Sequence, residues 1–292
     1  MTDRSFDCMG TTVRLLVADD ETADECRAFL EHFDATLSRF RPDSELSRLN
    51  AAPRAEVAAS PLLRAAVSAG VAAAALSRGL VDPTLTGALE RNGYDRSRRE
   101  PELPITEALK LAPPRAPAKP DPRATWRRIC LTPATIVRPP GVRLDTGGTG
   151  KGLAADLLAQ GLGGHFAVDC GGDLRVGGTH TVHVTHPLTS ATAHTLTLSD
   201  GAVATSGIDR RLWRGPDHRP RHHLLDPSTH RPAWTGLIQA TAQAPTALEA
   251  EARAKAALLS GPDDAHRWLR RHGGVLIHDD GATEVLGLEV VT

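Results

Sequence analysis

The chain reads as a single α+β domain spanning residues 1–292, and three observations predict it. A strand followed by an amphipathic helix opens the sequence, short strands broken by glycine turns fill its middle, and a helix, strand, turn and strand close it. At 292 residues the chain is long enough to bury a substantial core. Its 40% hydrophobic and 24% charged residues, with a net charge of -1, describe an ordinary soluble globular protein and exclude a nucleic-acid binder with a basic face. Aromatic residues make up only 3%, so the core must rest on Leu, Val and Ala.

Each element follows from local pattern. "TTVRLLVA" (11–18) has strand composition, and "ETADECRAFLEHFDATLSRF" (21–40) places Ala23, Cys26, Phe29, Leu30, Phe33 and Leu37 at helical spacing. "PLLRAAVSAGVAAAALSRGL" (61–80) is an alanine-rich helix stopped near Gly79, and "VDPTLTGALE" (81–90) is a turn into a short helix. The proline-rich stretch 101–122 is expected to skirt the surface of the domain. After Arg123 the strands "WRRICL", "TIVRP", "FAVDC", "DLRVGG", "TVHVTH" and "HTLTLSDGAVATSG" follow, then a helix over roughly residues 247–259. Cys8, Cys26, Cys130 and Cys170 form no C-x-x-C pair, which argues against disulfides and a cysteine zinc site. No signal-like segment opens the chain and no apolar stretch approaches the roughly 20 residues of a membrane span, so a cytoplasmic protein with no membrane role is expected.

"GVRLDTGGTGKGLAADLLAQ" (141–160) sets one lysine in a glycine cluster between a strand-like and a helix-like segment. It meets neither the Walker A nor the Rossmann spacing. Glycines at 147, 148, 150 and 152 imply positive φ or a backbone that approaches a ligand too closely to allow a Cβ, and N–H groups with Lys151 at a helix start suit phosphate. The bland alternative is a tight turn with a solvated lysine. "FAVDCGGDLRVGG" (166–178), with Asp173, resembles any hairpin. "HHLLDPSTHRP" (222–232) could gather histidines on a metal, although 13 histidines in the chain favour chance proximity.

Order makes these pieces specific. Met9-Gly10-Thr11, "SRFRPDSELSRLN" (38–50), "VDPTLTGAL" (81–89), "LDTGGTGKGLAAD" (144–156), "DCGGDLRVGG" (169–178), "ATSG" (204–207), "HLLDPSTHRP" (223–232) and "ALEAEARAKAALLSG" (247–261) resemble, in sequence order, the motif series of the ApbE family of FAD:protein FMN transferases. The resemblance covers nearly the whole chain. It implies a T-fold-related mixed architecture, with antiparallel sheets and flanking helices around a FAD cleft. The implied reaction cuts the FAD pyrophosphate and transfers FMN to a Thr or Ser hydroxyl of a partner protein, with AMP released. On that template Met9, Phe40, Asp82, Thr84, Asp145, Lys151, Leu224 and Leu225 are expected to contact the flavin nucleotide, and the Gly148 carbonyl to ligate Mg²⁺.

The last helix departs from the family. An Asp and, four residues on, a Thr are the Mg²⁺ ligands there, and Glu251 and Lys255 stand in their places. An ammonium has three donors and no acceptor, so Lys255 cannot ligate a metal, and a Mg²⁺ requirement is left open. Glu251 and Lys255 could be an exposed i,i+4 pair worth about 0.2–0.5 kcal/mol, as Glu249 and Arg253 repeat the spacing. Against that, the chain has thirty arginines and four lysines, and two of the four fall on phosphate and metal positions. Lys151 and Lys255 are therefore expected to act on phosphate, and Glu251 as metal ligand or base toward the incoming hydroxyl. His230 stands where the family has Gly and is a candidate general base, with His223 as alternative. Two functions follow: a flavin transferase, or a diverged member that binds FAD or another nucleotide without transferring FMN.

Overall fold

The computed structural model describes residues 1–98 and 100–287. Its main sheet has eight strands: β1 (Thr2–Cys8), β2 (Thr11–Val17), β3 (Phe166–Asp169), β4 (Asp173–Gly177), β5 (Ala202–Gly207), β6 (Leu237–Ala244), β7 (Gly274–His278) and β8 (Thr283–Leu286). All neighbours run antiparallel in chain order, so every helix and smaller hairpin is an insertion between adjacent strands. The α+β reading and the antiparallel sheets are as expected.

β1 is absent from the sequence reading because "TDRSFDC" alternates on a polar theme. Its inner face mixes pairing with packing: Arg4 bridges Asp20 at 3.1 Å and also Asp24, Phe6 packs on the core, and the buried Cys8 thiol donates to the Leu30 carbonyl at 3.4 Å. Helix α1 (Asp20–Leu37) starts where the Asp19 carboxylate accepts the Thr22 N–H at 2.9 Å. It buries Ala23, Cys26, Leu30, Phe33 and Leu37 against Val13, Leu15, Val17 and Val168 of the sheet. It ends before Ser38, short of the expected Phe40, because the apolar stripe stops at Leu37 and Pro42 disfavours helix at Arg41. That early stop frees Arg39 and Phe40 for the site.

Helices α2 (Glu45–Ala51) and α3 (Pro61–Leu76) follow, each capped by a serine. Arg78 (φ 56) and Gly79 (φ 89) then turn the chain into α4 (Thr86–Arg91). The stretch 101–122 is no free strap. It contains helix α5 (Ile105–Leu111), buries Leu103, Ile105, Ala108 and Ala118, and is pinned by Ala116 N–H to the Trp234 carbonyl and Ala118 N–H to that of Leu259. "WRRICL" is a 3-10 turn, Thr125–Arg128, with a two-residue strand after it. The run "HTLTLSDGAVATSG" divides at Asp200 (φ 48): Thr192–Ser199 pairs with Thr179–Thr185 outside the main sheet, and β5 lies within it.

Helices α6 (Gly150–Ala159), α7 (Ala247–Ser260) and α8 (Pro262–Leu269) complete the layer. Along α7 every residue from Ala250 to Ser260 is buried, and its six alanines up to Ala257 let it lie close to β5, β6 and α6. Asp156 of α6 accepts the Ala247 and Leu248 N–H groups at 2.8 and 2.9 Å, tying α6 to the start of α7. A Cβ on Gly152 would stand 2.7 Å from the Ala247 carbonyl oxygen, so only glycine permits this approach.

Candidate functional site

A cavity of about 530 Å³ opens between the β1–β2 turn, the end of α1, the turn before α6, and the segment 223–225. Its two ends differ chemically.

At one end Lys151 and Lys255 form part of the wall, and the acids that hold them stand behind it. The Lys151 ammonium pairs with Asp173 and lies 3.9 Å from Glu251 Oε1. Lys255 Nζ donates to the same Oε1 at 2.8 Å, and Gly152 N–H donates to Glu251 Oε2 at 3.0 Å. Side-chain exposure is 0% for Glu251, 1% for Asp173, 14% for Lys151 and 10% for Lys255, which removes the exposed-pair reading of the last helix. Buried charges persist only when paired and hydrogen-bonded, as these are. Burial favours the neutral amine at Lys151, yet Asp173 and Glu251 reverse this and hold its ammonium above the ordinary range. Burial likewise opposes ionisation of Glu251, and Lys255 with Lys151 overcomes it, so the carboxyl lies below its usual range. Burial and the Glu251 carboxylate push Asp173 up to about 7.

At the other end Arg39, Phe40 and Tyr94 make an aromatic and cationic wall. The Arg39 guanidinium lies 4.1 Å from the Phe40 ring centroid and 4.7 Å from that of Tyr94. Its Nε bonds Asp145 Oδ2 at 3.0 Å, with side chains 8% and 11% exposed. Asp145 Oδ1 accepts the Gly147 N–H at 2.6 Å, so this carboxylate is spent on shaping the wall. Tyr94 stacks on buried Trp213 at 5.3 Å, and burial raises its phenol above the ordinary range. His223 also lines the cavity, held neutral by burial and by nearby Arg211, with its Nδ1 unpartnered among the described residues.

Met9, Phe40, Asp82, Asp145, Gly148, Lys151, Leu224, Leu225 and Lys255 all line this cavity. Met9 (φ 51) and Gly10 (φ 70) form a two-residue turn of the kind that favours Asn or Gly, and a methionine held there is strained. Thr84 is outside the lining and turns its N–H (2.8 Å) and hydroxyl (2.6 Å) onto Asp82 Oδ1. Burial raises the Asp82 carboxyl. The turn 145–149 achieves its shape without a left-handed glycine, contrary to the positive-φ expectation; Gly152 answers to helix packing instead. His230 keeps the left-handed turn (φ 59), but its ring faces Arg123 at 3.1 Å and Asp121 at 3.5 Å, outside the lining.

Sequence reasoning left Tyr94, Asp173, Arg211 and the Arg39–Asp145 pair out of the site. "GGD" was legible but indistinct from a hairpin, and the others share no motif. Arg211 lines the cavity over the Met9–Gly10 turn and makes no hydrogen bond or ion pair among the described residues.

An antiparallel α+β scaffold whose cavity sets ammoniums at one end and a cation-backed aromatic wall at the other defines the class: a cleft protein suited to an anionic ligand that carries a ring. The model of the ApbE family matches residues 9–277, and the chain belongs to that family. It is 31% identical over 225 residues to the FAD:protein FMN transferase of Chlamydia trachomatis, covering 74% of this chain and 67% of that one. The Treponema pallidum protein of the same name is 28% identical over 305 residues, covering 91% and 81%. The crystal structure of the ApbE protein from Thermotoga maritima aligns with a TM-score of 0.79 at 25% identity, over 98% of this chain and 96% of that one.

The residues here do not fit the Mg²⁺ that the resemblance implies. Both Glu251 oxygens already accept from nitrogen donors, and Lys255 puts an ammonium where a ligand oxygen was expected. Among the described residues no group of three or more His, Cys, Asp or Glu is placed to hold a metal ion.

Proposed function

We propose that this protein is a flavin transferase: it binds FAD in the cavity and moves the FMN half to a Thr or Ser hydroxyl of a partner protein, releasing AMP. The observation that carries the reading is the joining of two ends in one cavity, in a chain that belongs to the ApbE family. The aromatic wall of Arg39, Phe40 and Tyr94 suits a flavin ring, and Lys151 and Lys255 suit the pyrophosphate.

In the reaction the acceptor oxygen attacks the FMN-side phosphorus, the bond to the bridging oxygen breaks, that oxygen leaves with AMP, and the hydroxyl proton passes to a base. Such a transition state gains most from fixed positive charge and alignment. Lys151, held by Asp173, is pre-positioned for this and needs little reorganisation. Glu251 is ill placed as the base, since it lies behind the ammoniums. His223 lines the cavity with its Nδ1 unpartnered among the described residues, so it is the better placed proton acceptor, although burial and Arg211 weaken it as a base. Among the described residues no helix is long and apolar enough to cross a membrane, and the net charge of -1 gives nucleic acid no attraction; we read the protein as cytoplasmic.

The test is flavin fluorescence on titration with FAD, followed by chromatography for AMP and FMN. Binding with AMP formation supports the transferase reading and its hydrolytic side reaction. Binding of FAD without any AMP, even with a Thr-containing acceptor protein, would leave only a flavin carrier.

A further inference from the structure

We infer that Lys255 is a built-in cation that takes the place of a divalent metal, so that the phosphates are neutralised by this chain's own side chains. The inference rests on the FAD reading and deepens it. From inside the cavity a ligand meets the Lys151 and Lys255 ammoniums, while Glu251 and Asp173 are absent from the lining. At this end of the cavity an incoming metal ion would therefore meet the two ammoniums before Glu251 or Asp173, whereas a phosphate would meet donors directly. Lys255 is anchored by Glu251 at 2.8 Å, and Glu251 is anchored in turn by the Gly152 N–H at 3.0 Å, a contact that depends on the close packing of α6 on α7. An ammonium is a compact, strongly hydrated point charge, closer in character to a small metal ion than the planar guanidinium is. In a chain that uses thirty arginines and four lysines, both lysines of the site have this form. Arg211, unpaired among the described residues at the same cavity, adds a third cation on the facing side.

In chemical terms the step keeps its balance without a metal. The oxygen of the acceptor forms the new bond to phosphorus as its proton passes to a base such as His223, the bond from phosphorus to the bridging oxygen breaks and that oxygen departs on AMP, and the charge gathering on the phosphoryl oxygens is met by Lys151, Lys255 and Arg211.

The probe is MnCl₂ with the FAD-free protein, read by the paramagnetic signal of free Mn²⁺, beside AMP release from FAD in excess EDTA. The wild type is expected to leave millimolar Mn²⁺ free and to keep AMP release within two-fold in EDTA. Lys255→Ser removes the ammonium and supplies a hydroxyl oxygen beside Glu251; it is expected to gain Mn²⁺ binding, and its AMP release is expected to become dependent on added Mg²⁺. Mn²⁺ bound by the wild type, or AMP release lost in EDTA while FAD stays bound, overturns the inference and leaves the transferase reading intact. Absence of FAD binding overturns both. The wild-type arms decide the matter even where Lys255→Ser fails to fold.

Discussion

The two ends of the cavity solve the burial of charge differently. At the lysine end, two ammoniums and two carboxylates from α6, α7 and β4 are packed with almost no exposure, and the acids stand behind the bases. At the aromatic end, one guanidinium is shared between a carboxylate and two ring faces, and the loops that carry them come from three separate places in the chain. The first arrangement fixes charge through helix packing, so its geometry is as rigid as the core. The second fixes ring orientation through the Arg39–Asp145 ion pair, the Arg39 hydrogen bond to the Tyr94 carbonyl at 2.7 Å and the stacking of Tyr94 on Trp213, so it depends on a few contacts between loops. This difference teaches where function is robust and where it is exposed to single substitutions.

The largest effect should come from breaking the lysine end. Lys151→Ala is expected to slow AMP release by about 100- to 1,000-fold. It also strands Asp173, while Glu251 keeps Lys255 and the Gly152 N–H, and breaking a buried pair costs about 3–5 kcal/mol. Chemical denaturation separates the two effects, because Lys151→Ala with Asp173→Asn should recover much of the stability but none of the rate. At the aromatic end Arg39→Ala should cost a similar 3–5 kcal/mol by stranding Asp145, and should weaken FAD binding by disordering Phe40. A small loss there would mean that the wall is held by Trp213 stacking instead.

Acid should act at both ends, because Asp173, pushed up to about 7, takes up a proton in the same range in which the unfolded chain begins to protonate His222. Burial lowers His222 from 6.5 to about 3, so the unfolded chain binds a proton that the folded chain refuses. The penalty is absent above pH 6.5, grows as pH falls toward 3, and reaches about 2 kcal/mol at pH 5. Urea midpoints of the wild type and His222→Phe at pH 7.5 and 5 should show the variant with the flatter dependence. Met9→Gly should relax the left-handed turn and stabilise the fold by up to about 1 kcal/mol while weakening FAD binding. His230→Gly, outside the cavity, should shift both stability and turnover by no more than about 0.5 kcal/mol.

Much of this was legible in the sequence where one element carries the information. The stripe of α1, the stop of α3 near Gly79, and the order of the cleft motifs are all local patterns. What stayed hidden is what distant segments do to one another. Glu251 and Lys255 have the spacing of a surface pair, and only the packing of α7 between α6 and the sheet buries them. Tyr94 and Trp213 meet across 119 positions of sequence, by their numbers, and no motif links them. Gly152 was read as phosphate chemistry, yet its reason is the Ala247 backbone. His230 was drawn in by its place in a motif, but its ring is turned to Asp121 and Arg123. Strand β1 escaped because its inner face carries only Phe6 and Cys8 as apolar residues, with Arg4 held there by ion pairs.

The most direct measurement is the appearance of AMP when the purified wild type, with FAD bound, is given excess FAD and a Thr-containing acceptor protein. The account predicts tight FAD binding, AMP release, and loss of that release in Lys151→Ala with Asp173→Asn. A protein that neither binds nor cleaves FAD would contradict it.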